Sequence, residues 1–174
     1  MAIIAKSTGE DFVLAPAGAH PAVCCDVVDL GVMKVVYAGK EKAQHKIRIV
    51  WQLDEADATG KPFRVQQRYT LSLHEKAALR KDLESWRGKP FTEEEIKDGF
   101  DIEKLIGVGC FLNVMHEAKG TTMYANVKAI MRLPKGVQSP TVRDYTRVCD
   151  RQAGDGQEAP PNDFGGIDES DVPF

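Results

Sequence analysis

The sequence predicts a mainly β chain: a small five-stranded barrel carrying one helical insertion, followed by an acidic tail that does not fold. Three observations predict it. Residues 45–53 and 63–73 alternate apolar and polar side chains with the period of two that a half-buried strand imposes. Between the third and fourth β-rich segments the apolar period changes to that of a helix. Charge also divides the chain: residues 1–150 hold 22 Lys and Arg against 20 Asp and Glu, whereas residues 151–174 hold one Arg against six acids. A folded domain over 1–150 and a flexible tail over 151–174 follow, because a polar, Gly- and Pro-rich segment cannot bury enough surface to offset its ordering entropy.

Taken in order, residues 22–37 are rich in β-branched side chains and are interrupted by Gly31, which reads as one kinked strand. A loop over Ala38–Gln44 leads to the second strand, with Ile47, Ile49, Trp51 and Leu53 on one face and Lys46, Arg48, Val50 and Gln52 on the other. After a turn at Asp54–Pro62 the third strand sets Phe63, Val65, Tyr69 and Leu71 against Arg64, Gln66, Arg68 and Thr70. Ser72-Leu73-His74-Glu75 has the spacing of a capping box, Leu79, Leu83 and Trp86 recur at helical spacing, and Gly88 with Pro90 ends the run. Thr92-Glu93-Glu94-Glu95 is a second capping box, and Asp101–Ile106 forms a further short turn stopped by Gly107. Val108–Glu117 and Thr122–Leu133 are the last two strands, and Thr141–Cys149 is either a strand or an extended arm.

Five strands with a helical insertion between the third and fourth is the element order of the OB-fold, a partly open barrel whose second and third strands bind oligonucleotides. Other small barrels and α+β sheets share that order, so the fold alone does not decide function. No run reaches the roughly 18 apolar residues of a membrane span, and the N-terminus lacks a secretory pattern, so the expected compartment is the cytoplasm, with no membrane partner. Cys24, Cys25, Cys110 and Cys149 contain no Cys-x-x-Cys pair; adjacent Cys24 and Cys25 point to opposite faces of a strand, and buried free thiols are the expected state. No metal or other cofactor is expected.

The polar faces of the second and third strands carry Lys46, Arg48, Arg64 and Arg68 without one acid. Like charges brought together by strand pairing destabilise a sheet unless something neutralises them, and a phosphate backbone does so with release of counterions. A solvated face helped by a neighbouring acid is the plainer alternative. Bases stack on aromatic rings without regard to sequence, and Tyr37 beside Lys34, Lys40 and Lys42 is the best stacking candidate. Trp51 and Tyr69 lie on the apolar side of their strands and serve as core or as platform; Tyr124 shares a face with Lys128 and Arg132 on the last strand.

The ending Asp168-Glu169-Ser170-Asp171-Val172-Pro173-Phe174 resembles the C-terminal tip of bacterial single-stranded DNA-binding proteins, in which acids precede an aliphatic residue, Pro and a terminal Phe. Glu169-Ser170 breaks the acidic run and Val172 stands where Ile is common. Residues 20–136 resemble a phage-encoded family found among replication and recombination genes, on Lys46-Ile47-Arg48-Ile49-Val50-Trp51-Gln52-Leu53, on Tyr69-Thr70-Leu71-Ser72-Leu73-His74-Glu75-Lys76 through Leu83-Glu84-Ser85-Trp86-Arg87-Gly88, and on Tyr124-Ala125-Asn126-Val127. The resemblance implies a protein that coats single-stranded DNA in replication, recombination and repair. It also implies that the tip residues Asp168, Glu169, Asp171, Val172, Pro173 and Phe174 recruit partner proteins.

Enzyme signatures are missing from the sequence: there is no Gly-rich phosphate loop, no His-Glu-x-x-His and no Gly-x-Ser-x-Gly. A nonenzymatic binder is therefore expected. The alternatives are a metal-dependent nuclease or recombination subunit using Asp26, Asp29 and Glu117, and a protein-only adaptor whose basic face meets an acidic protein. A homodimer formed through a strand edge or through the 141–149 arm is the oligomeric expectation.

Overall fold

The computed structural model describes residues 13–151. The tail tip lies outside the described residues. Five strands, β1 (Gly18–Tyr37), β2 (Lys40–Ala56), β3 (Pro62–Thr70), β4 (Gly109–Lys119) and β5 (Thr122–Met131), form one antiparallel sheet in the order β3-β2-β1-β4-β5. Between β3 and β4 lie helices α1 (Ala78–Arg87) and α2 (Glu93–Asp98) and a 3₁₀ turn, Ile102–Leu105.

β1 is the kinked strand the sequence suggests, and it is longer. Its register against β2 shifts twice, between Cys24 and Asp26 and between Asp29 and Gly31, and Gly31 takes the left-handed φ of +74° that a bulge of this kind requires. The strand starts at Gly18 because Gly18–Val23 pairs with β4. Pro21, which argues locally against a strand, lies opposite Phe111 on β4, ahead of the β2 ladder that begins at Ala22. The predicted loop Ala38–Gln44 is only a two-residue turn. Ala38 and Gly39 both have positive φ, and Tyr37 pairs directly with Lys40.

The inner faces carry the core, with Ile49, Trp51, Val65, Tyr69 and Leu112 almost fully buried under α1 residues Leu79 and Leu83. Trp86 of α1 meets Trp51 at a ring separation of 6.1 Å.

The expected closure into a barrel is not observed. β3 and β5 approach each other but share no hydrogen-bonded ladder. The physical reason is α1, which spans the seam. The Tyr69 hydroxyl of β3 donates to Asp82 at 2.7 Å, Ser85 Oγ donates to the Ile130 carbonyl of β5 at 2.6 Å, and Trp86 Nε1 donates to the Gly109 carbonyl at 2.9 Å.

Of the two capping boxes, only the one at Thr92 forms. Thr92 Oγ1 accepts from Glu95 N at 3.2 Å and Glu95 returns a carboxylate to Thr92 N at 3.0 Å. Ser72 Oγ instead accepts from His74 N in a local turn, and α1 begins at Ala78 without a side-chain cap. The Arg87 guanidinium 2.7 Å away and the Thr92 N–H hold the Glu95 carboxyl at about 2, below its usual 4.5.

A carboxylate depressed in this way adds stability above pH 4.5 that is lost as pH falls towards 2. Urea midpoints recorded across that window are expected to fall less steeply for Glu95→Gln than for the native chain, and equal slopes would remove Glu95 from the acid response.

Candidate nucleic-acid interface

Strand pairing gives β1, β2 and β3 a common outer face. β2 turns Ile47, Ile49, Trp51 and Leu53 inward, so Lys46, Arg48 and Gln52 face outward with Arg64 and Arg68 of β3. Arg48 stands directly opposite Arg68 in the ladder, and Lys46 opposite Thr70, to whose hydroxyl its ammonium donates at 2.7 Å. Arg48 Nε is shielded from solvent and makes no hydrogen bond among the described residues. Partial burial, and then the facing Arg48, lower the Arg68 pKa from its ordinary value. Two guanidiniums directly opposed across a ladder are spaced to share one anion such as a phosphate.

The strip continues upstream. β2 keeps a regular alternation along its whole ladder with β1, so Lys42 and Lys40 share the face of Lys46 and Arg48. Tyr37 pairs with Lys40 on that face and is 40% exposed. The strip therefore runs Tyr37, Lys40, Lys42, Lys46, Arg48 and Arg68.

The other end of the same face is covered by the chain itself. The ambiguous 141–149 stretch is an extended arm that ends in a 3₁₀ turn, Val148–Asp150. Gln52 acts as a surrogate strand neighbour: its Nε2 donates to the Thr141 carbonyl at 2.7 Å and its Oε1 accepts from Arg143 N at 2.8 Å. Arg64 donates to the carbonyls of Arg143 and Asp144, each at 2.8 Å, and lies over the Tyr145 ring.

Asp26, set in the first bulge of β1 and only 1% exposed, fixes the far end of the arm. It accepts from the Tyr145 hydroxyl at 2.9 Å, from Val148 N at 2.8 Å and from Arg147 Nε at 3.2 Å. Burial and the bond to Asp26 raise the Tyr145 pKa, while bonds to Glu103 and Asp26 raise that of Arg147. Nothing local in the sequence signals this anchor. Its donors sit roughly 120 residues away, and only the polarity of Asp26 inside an apolar strand hints at a distant partner.

The structure brings some of the predicted residues together and separates others. Tyr37, Lys40, Lys46, Arg48 and Arg68 share the strip, and Lys42 joins them. Arg64 shares the face but is engaged with the arm. Trp51 and Tyr69 are core residues, 0% and 2% exposed, and are not stacking platforms, because both point to the sheet interior. Lys34 is on the opposite face of its strand, 4.0 Å from Glu41. Tyr124, Lys128 and Arg132 do not share the strip: β5 is three strands from β2 in sheet order, Lys128 is ion-paired with Glu117, and Arg132 lies beside Gly88 at the end of α1.

The three carboxylates weighed as a nuclease site are apart and individually satisfied: Asp26 by the arm, Asp29 by Gly31 N and His45, and Glu117 by Lys128 and Asn126. Among the described residues no group of three His, Cys, Asp or Glu side chains could hold a metal ion. Cys24 and Cys110 are buried in the core. Cys25 is buried on the outer side with its thiol pushed up to about 12 by burial, and Cys149 is exposed, contrary to expectation. Among the described residues no helix is long and apolar enough to cross a membrane.

Among the described residues, then, an open antiparallel sheet joins cations on its outer face to the exposed ring of Tyr37. No protein-family model matches the chain, and no curated protein matches it.

Replacing the buried Asp26 with Asn leaves Arg147 poorly compensated and turns an acceptor into a donor. Chemical denaturation is expected to show a loss of about 2–4 kcal/mol. Glu103→Gln, at the exposed end of the same network, is expected to cost less than about 1 kcal/mol. Equal effects would show that Asp26 is not the anchor.

Proposed function

We propose that this chain is a nonenzymatic, sequence-tolerant binder of single-stranded DNA, built on an OB-type sheet left open between β3 and β5. The strand order supports the fold reading, since β1 pairs on both sides and β3 and β5 are the two ends that a complete barrel would join. The observation that carries the function is the Arg48–Arg68 pair, opposed across the β2–β3 ladder and flanked by Lys46, Lys42 and Lys40, with Tyr37 on the same face. Phosphates neutralise such a row, bases stack on an exposed ring, and neither contact reads sequence. The acidic stretch Asp168-Glu169-Ser170-Asp171-Val172-Pro173-Phe174 supports a second element of the proposal, recruitment of replication or recombination proteins by an acidic segment that carries an aromatic ring.

The test is a titration of labelled oligo(dT) of increasing length at several salt concentrations. Binding is expected to tighten with length and to weaken with salt, with a log–log slope of about −0.7 for each phosphate contacted. Arg48→Glu/Arg68→Glu is expected to reduce affinity by roughly 100-fold at low salt, whereas Lys128→Glu/Arg132→Glu on β5 leaves it nearly unchanged. Length-independent or absent binding by the intact protein contradicts the proposal.

A further inference from the structure

Residues 31–45 form a structure that the sheet does not need. Gly31–Tyr37 pairs only with Lys40–Lys46; β3 ends at Thr70 opposite Lys46, and the part of β1 that pairs with β4 is Gly18–Val23. No apolar side chain of residues 31–45 belongs to the core or packs against it, and at the base the His45 carbonyl accepts from Leu71 N at 2.7 Å. Among the described residues this is a free-standing two-stranded ribbon, and such a ribbon is marginal in water without support.

Its base is supported. One Asp29 carboxylate oxygen accepts from Gly31 N at 2.8 Å and from the His45 ring at 2.6 Å, tying both strands together at the bulge where the ribbon leaves the body.

The two faces of the ribbon differ. Lys40 and Lys42 continue the basic strip of Lys46 and Arg48, while Lys34 lies on the back with Glu41. The tip is apolar: Val36 is 68% exposed on the back and Tyr37 40% exposed on the strip face, both immediately before the tight Ala38–Gly39 turn. Exposed apolar groups at the end of a supported finger between cations match the way protein wedges rest against base steps, with phosphates taken by neighbouring Lys. A single strand lying on the strip reaches this tip after Lys40.

We propose that the ribbon makes this protein a reader of junctions between single- and double-stranded DNA: the single strand lies on the β2–β3 strip, and Tyr37 and Val36 abut the terminal base pair of the adjoining duplex. This rests on the single-strand reading and adds to it a preferred place to bind.

The experiment compares the full chain on oligo(dT) with the same oligo(dT) carried as a tail on a stable DNA hairpin, with 2-aminopurine in the terminal base pair. The tailed hairpin is expected to bind about ten-fold tighter than the free oligonucleotide, with a change in 2-aminopurine fluorescence at saturation. Val36→Ser/Tyr37→Ala alters only exposed side chains, and circular dichroism checks that it folds. It is expected to lose the preference and the fluorescence change while binding the tailed hairpin no better than oligo(dT). Equal affinity of the intact chain for the two DNAs, or an unchanged 2-aminopurine signal, overturns the junction proposal while leaving single-strand binding standing. Failure to bind oligo(dT) itself overturns the reading beneath it.

Discussion

From Lys40 to Leu53, β2 alternates without a bulge while its partner β1 absorbs both irregularities of their shared ladder. A shift of one residue in β2 would exchange its entire faces, setting Trp51 and Ile49 in water and Arg48 in the core. The burial of Ile47, Ile49, Trp51 and Leu53 therefore fixes the register, and the register in turn aligns Lys40, Lys42, Lys46 and Arg48 on the outside. The core and the basic strip are two consequences of one constraint. The same register sets Arg48 directly opposite Arg68 on the outer face.

The bulges of β1 have separate roles. The first turns Asp26 into a buried site where an uncompensated carboxylate would be strongly unfavourable, and the arm supplies three donors to it. This fastens Thr141–Asp150 across one end of the outer face, engages Arg64, and leaves Lys40, Lys42, Lys46, Arg48 and Arg68 beyond the arm at the other end. The second bulge, at Gly31, lets the β1–β2 pair continue past the body as the ribbon. Body, strip, arm and ribbon are thus arranged by two departures from regularity within one strand.

Much of this was legible wherever one face of an element is buried. β2 from 45 to 53, β3, the Leu79–Leu83–Trp86 face of α1 and the cap at Thr92 all show their period or their cap in the sequence. The ribbon over 40–44 did not, because both of its faces meet solvent and hydrophobic alternation has nothing to mark. The start of β1 was hidden by Pro21, and the cap suggested at Ser72 yielded to a local turn. Sequence assigned Tyr124, Lys128 and Arg132 to a polar face but not to a neighbourhood, since period fixes the side of a strand and only the sheet order fixes what lies beside it. The same limit concealed the Asp26 anchor and the helix across the β3–β5 seam, both made by distant segments.

Hydrogen exchange of the intact protein with and without saturating oligo(dT) maps where a single strand touches the sheet without altering a residue. Slowed amide exchange is expected in residues 40–48 and 64–70, with little change in the β4–β5 hairpin over 109–131. Protection concentrated in that hairpin, or none on β2 and β3, would contradict binding at the strip.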